Sequence, residues 1–213
     1  MDFLPSLPVL SAFTVAALIL TLTPGPDMTL FLGRALSQGR AAGMAAMFGA
    51  ATGVIIHTLL AAFGISALIQ ASPNGFLTLK IVGAIYLLWL AVQAIREGSA
   101  FSLEEGKTKP KSLTSNWLTG IGINMLNPKI ILFFITFLPQ FVSPTDANAT
   151  GKMIFLGFYF IFIANICCSM MIYAVDKVAD TLKQNPKVTR AIDYLFAGVF
   201  SAFAIRILLT ERG

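Results

Sequence analysis

Six apolar runs, each long enough to cross the hydrocarbon of a bilayer, leave this chain little room for any other architecture. They fall at residues 7–33, 41–69, 76–95, 115–141, 153–175 and 191–209, where a helical crossing takes about 17 to 25 residues. Charged residues make up only 12% of the chain, about half the share usual in a soluble domain. That is too little charge to clothe a globule in water, whereas a surface facing lipid needs none. The expected fold is an all-α membrane domain spanning residues 1–213, with about six transmembrane helices. The first, second and fourth runs exceed a straight crossing, which predicts tilt or a break. Arg206, near the end of the shortest run, has to reach back to the interface.

A net charge of +5 raises the question of nucleic acid. The basic residues are scattered through short segments between the apolar runs, with no basic face interleaved with aromatics, so no nucleic-acid partner is expected. Sorted by segment, they instead set orientation. Arg34 and Arg40 follow the first run, Arg96, Lys107, Lys109 and Lys111 the third, and Lys177, Lys183, Lys187 and Arg190 the fifth. Only Lys80, Lys152, Arg206 and Arg212 fall to the other side. The positive-inside rule then places both termini outside and the three basic segments in the cytoplasm. The first run lacks a basic leader and a small-residue cleavage site, so it reads as a retained helix and not a signal peptide. Cys167 and Cys168 are adjacent inside an apolar run and offer neither a disulfide framework nor a metal-ligand spacing.

Three runs precede the mixed-charge linker at 96–114, which carries Glu104 and Glu105 among its lysines, and three follow it. An odd number of crossings per half turns the second half upside down relative to the first. Repeat one covers about 7–95 and repeat two about 115–209. Inverted repeats with helices broken at matching positions are a transporter pattern, and the breaks point to the binding site. Here the first run of each half is interrupted, by Thr23-Pro24-Gly25-Pro26-Asp27 in one and by Asn127-Pro128-Lys129 in the other. Threonine or asparagine ahead of proline suits the start of a helix, and each proline lacks the N–H that would continue the preceding one. A helix that restarts within the membrane presents N–H groups and a positive dipole end, which suit an anion such as a carboxylate. The plainer reading is a proline kink satisfied by neighbouring helices.

Each break adjoins an ionisable residue, Asp27 or Lys129. A charge at the centre of a spanning helix costs at least about 2.5 to 3.5 kcal/mol on insertion scales and calls for a partner or a wet cavity. The two are therefore expected to face each other or a shared cavity, either as a packing ion pair or as part of a pathway. His57, the only histidine, is read as a hydrogen-bonded core residue or as a proton relay. Asn124 and Asn165 are amides that either contact substrate or bond across helices. Gly39/Gly43 and Gly49/Gly53 are spaced for close helix packing. Trp89 and Trp117 fit an interfacial belt. Asp176 and Asp180 read as solvated loop residues.

At these residues the chain resembles the LysE/RhtB family of amino-acid exporters. The resemblance rests on the Thr23-Pro24-Gly25-Pro26-Asp27 block and on a glycine-rich second helix with its approach (Gly39, Gly43, Gly49, Gly53, Gly64). It is completed by Asn127-Pro128-Lys129, followed by an aromatic run closing on Phe137-Leu138-Pro139-Gln140-Phe141. It implies a bacterial inner-membrane exporter of amino acids or related small metabolites, driven by an ion gradient. It names neither substrate nor stoichiometry, and it leaves room for a homo-oligomer. No cofactor and no metal is expected, since there is no Cys/His ligand cluster. In this reading the substrate carboxylate sits on a half-helix N-terminus and its ammonium faces Asp27. A coupling proton exchanges on Asp27, whose titration is set by desolvation and by the charge of Lys129. The rivals are an intramembrane enzyme, for which His57, Ser66 and the cysteines are the only material, and a structural subunit. No motif organises the material of the first, and the second leaves Asp27 and Lys129 unexplained.

Overall fold

Proline sets most of the element boundaries in the computed structural model, which describes residues 4–71, 73–97, 111–143 and 146–210. Helices α1 (Leu7–Leu22) and α2 (Pro26–Gln38) are followed by α3 (Arg40–Ala71) and α4 (Pro73–Glu97). The second half contains α5 (Leu113–Met125), α6 (Pro128–Leu132), α7 (Ala149–Tyr173), α8 (Val175–Gln184) and α9 (Pro186–Thr210). The described residues contain no strand. Helices α2, α4, α6 and α9 each begin on a proline, where the missing N–H has no helical partner to lose.

The first and fourth apolar runs are broken. Helices α1 and α2 meet at 54°, and α5 meets the segment Pro128–Phe141 at 56°. Two helical stretches are long and apolar enough to cross a membrane unaided, Arg40–Gly64 and Ala149–Tyr173, and each bent pair passes the same test as a unit. The third and sixth expected crossings coincide with α4 and α9, of 25 residues each. Large apolar side chains face outward, among them Leu60, Phe63, Phe162 and Met170. An apolar exterior of this extent suits lipid, and the chain is a multi-pass all-α membrane protein.

The two breaks are built differently, which corrects one expectation. Thr23 does not start α2. Its backbone N–H and its Oγ1 both donate to the Ile19 carbonyl, at 2.9 and 2.7 Å, so it ends α1. Thr23 is extended, at ψ 120°, because proline disfavours helical geometry in the residue before it. The chain stays extended through Gly25, and α2 starts at Pro26 with no side-chain cap. In the second half Asn127 does cap, accepting at Oδ1 from the Lys129 N–H at 3.0 Å.

Past α6 the expected regular helix gives way to a π turn at Phe133–Phe137 and a 3-10 turn at Leu138–Phe141. Pro139 supplies the cause, since it cannot donate and it crowds the carbonyl of the preceding turn. The segment also delivers Phe133, Phe134 and Phe137 to the centre of the molecule. There they meet Phe13, Phe160 and Phe200, with ring centroids 4.9 to 6.0 Å apart. A second correction concerns Asp176 and Asp180. They lie on α8 and not in a loop. Val175 is buried and Val178 partly buried against Met28 and its neighbours, while Asp176 and Lys177 are exposed. The linker charges at 98–110 lie outside the described residues, as do the side chains of Arg206, Lys80 and Ser66.

Candidate substrate site at the two helix breaks

The breaks lie against each other, and each half holds the charge of the other. Lys129, at the start of α6, donates from Nζ to the carbonyls of Leu20 and Thr23 at 3.2 and 2.9 Å. These carbonyls belong to the last turn and C-cap of α1, where no further N–H continues the helix and the dipole end is negative. Gly25 makes room for the lysine, because a Cβ there would stand 3.1 Å from Nζ. Asp27, in the first turn of α2, is held from the opposite side. Its Oδ2 accepts from Asn124 Nδ2 at 2.9 Å and from Asn127 Nδ2 at 3.1 Å. A carboxylate only accepts, so both amides must turn their NH2 groups toward it.

Asp27 and Lys129 thus do not form the direct pair expected of a packing bridge. Each is engaged by polar groups across the interface between the halves. Asp27 Oδ1 is buried without a hydrogen-bond partner. Buried charged oxygens are normally satisfied, so an open one at a membrane break stands out.

Both residues line a cavity with about 60 Å³ open to the centre of a water-sized sphere, several times the ~10–15 Å³ that one water needs. Its walls come from both halves. Helix α3 contributes Met47, Ala50, Ala51 and Val54, and α7 contributes Ile161, Ala164, Asn165 and Cys168. Each set follows the i, i+3, i+4, i+7 spacing of one helix face. Met28 and Phe31 of α2, Phe160, and Leu20, Thr21 and Thr23 at the end of α1 complete the lining with Asn124 and Ile130.

The structure brings together Thr23, Gly25, Asp27, Asn124, Asn127 and Lys129, with Pro24, Pro26 and Pro128 as the residues that create the breaks. The two half-helix N-termini are not equivalent as anion sites. At α6 the Lys129 N–H is taken by Asn127 Oδ1, and those of Ile130 and Ile131 reach the Asn127 carbonyl. At α2 no side chain caps. His57 sits one layer behind, buried, with its ring stacked near Phe134 and Nε2 3.4 Å from the Asn124 carbonyl. Serving that carbonyl requires the proton on Nε2.

Three glycines of α3 stand at helix contacts. An added Cβ would fall 2.8 Å from the Phe31 carbonyl at Gly43, 1.9 Å from the Trp117 carbonyl at Gly49, and 2.6 Å from Asn124 Oδ1 at Gly53. Gly39 is set apart from that trio. It lies in the turn between α2 and α3 at φ +90°, with nothing within 4 Å of such a Cβ. There it supplies a backbone conformation that other residues rarely adopt. Sequence reasoning missed the part of Gly53 in seating Asn124, and also the apolar cavity faces of α3 and α7. The four-residue spacing of Gly49 and Gly53 marked the face without marking its partner.

The family model for the LysE type translocator matches residues 18–211. The chain belongs to that family. Similar proteins include the uncharacterised membrane protein YrhP of Bacillus subtilis, 28% identical over 92% of this chain and 97% of its own length. The leucine efflux protein of Enterobacter sp. (strain 638) is 28% identical over 92% of both chains. The homoserine/homoserine lactone efflux protein of Salmonella typhimurium is 28% identical over 89% of this chain and 90% of its own. No solved structure matches. Membership in a translocator family places the chain among transport proteins and not among enzymes.

Proposed function

We propose that this LysE type translocator exports amino acids or closely related small metabolites across a bacterial inner membrane, driven by the proton gradient. The observation that carries the reading is Asp27, whose Oδ2 is fixed by two amides while Oδ1 is left open in a residue lining the cavity. An ammonium group is the natural occupant of such an oxygen, because it brings both charge and donors. A proton is the alternative occupant. The two compete for one carboxylate, and that competition is the simplest physical basis for exchanging a proton for a substrate. The uncapped first turn of α2 lies beside the same residue and favours the substrate carboxylate. His57 reaches the site only through Asn124 and is the candidate for moving the proton onward. Relatives named for leucine and for homoserine or its lactone efflux support the substrate class.

The test compares cells with and without the protein, loaded with amino acids by peptide feeding. Protein-dependent fall of one or more intracellular amino-acid pools, abolished by a protonophore, is the expected result. Unchanged pools across the whole amino-acid panel would overturn the proposal.

A further inference from the structure

The charged groups of the cavity allow a balance, and from it we infer that the site selects neutral amino acids over basic and acidic ones. The inference rests on the transport reading above and specifies its cargo. Among the polar lining residues, Thr21 Oγ1 already donates to the Ala17 carbonyl and Thr23 Oγ1 to the Ile19 carbonyl. Lys129 has two contacts, to Leu20 and Thr23, and an ammonium has three protons. One proton is left. On the acidic side, Oδ1 of Asp27 is left. One unpartnered carboxylate oxygen and one ammonium proton match one zwitterion, with the α-ammonium on Asp27 and the α-carboxylate toward Lys129 and the adjoining first turn of α2, while Asn124 Oδ1, also buried without a partner, is a neutral acceptor beside them.

Nothing charged remains for a side chain. A lysine or arginine would carry a second cation into a cavity whose lining has no acid besides Asp27. A glutamate would bring a second anion with no cation besides Lys129. An unpaired charge in such surroundings is strongly disfavoured. The rest of the wall is apolar, with Phe31, Met47, Ala51, Val54, Phe160 and Ile161 facing the space. An aliphatic side chain gains by leaving water for that wall. Asn165, the remaining amide of the lining, is neutral and supplies no counter-charge.

Homo-exchange in proteoliposomes of the purified wild-type protein decides the matter, with labelled leucine, valine, methionine, threonine, lysine and glutamate each measured alone. Leucine, valine, methionine and threonine should each exchange at least tenfold faster than lysine and glutamate at equal concentration. Exchange of lysine or glutamate at more than a tenth of the leucine rate would overturn the selectivity. Failure of all six, in vesicles shown to contain correctly inserted protein, would instead remove the amino-acid transport reading and this inference with it.

Discussion

At the scale of single residues, the site is a set of mutual constraints around Asp27. Asn124 holds the carboxylate, and Gly53 of α3 leaves the space in which the Asn124 side chain lies. Gly53→Ala would place a methyl 2.6 Å from Asn124 Oδ1, so the amide must turn away from Asp27. Adding one buried methyl in a tight contact typically costs about 1 to 3 kcal/mol. The expected outcome is a protein that still inserts but exports at least tenfold more slowly; export at the wild-type rate per inserted molecule would show that Asn124 is not needed in its observed place. The identity of Asp27 and Lys129 as special was legible in the sequence, since charge inside an apolar run is conspicuous whatever the fold. Their partners were not, because Asn124 and Leu20 become neighbours of these charges only once α5 and α6 pack on α1 and α2.

At the scale of elements, the breaks were legible because proline acts locally, through a missing donor and a restricted preceding residue. The detail at Thr23 was not. Thr23 and Asn127 both precede proline, yet one ends a helix and the other begins one, and the difference lies in the two non-helical residues, Pro24 and Gly25, that stand before Pro26. Replacing Pro24 and Pro26 together by alanine should allow α1 and α2 to run on as one helix and withdraw the Leu20 and Thr23 carbonyls from Lys129. We expect normal insertion with export lost; efflux that survives at an unchanged protein level would reduce the break to a kink. The faces of α3 and α7 that line the cavity escaped notice for a different reason. Methionine, alanine and valine toward a cavity look the same in sequence as those toward lipid. Helix α8 was missed because a short amphipathic segment rich in charge reads as a solvated connection.

At the scale of the molecule, each half opens on a broken helix followed by a long one, with α8 an addition in the second half, and the cavity sits where the two broken helices meet. If the halves are related by inversion, the basic segments after α2, α4 and α7 face the cytoplasm. Single cysteines at positions 111 and 187 should then react with impermeant reagents only from the cytoplasmic side, and cysteines at either terminus only from the outside. A cytoplasmic N-terminus with an outside C-terminus would remove the inversion and the matching of the breaks with it.

The most direct test of the central claim, that Asp27 is the substrate and proton site and not a packing charge, is efflux per inserted molecule for Asp27→Asn, Lys129→Met and the double variant. A truly buried pair broken on one side costs about 3 to 5 kcal/mol, and removing both partners restores much of it. A packing role therefore predicts that the double variant recovers protein level and activity together. The observed geometry has each charge bonded to groups of the opposite half and not to the other charge. Our account accordingly predicts that Asp27→Asn abolishes gradient-driven export while leaving a folded, inserted protein, and that adding Lys129→Met restores nothing. Full gradient-driven export by the double variant would contradict it.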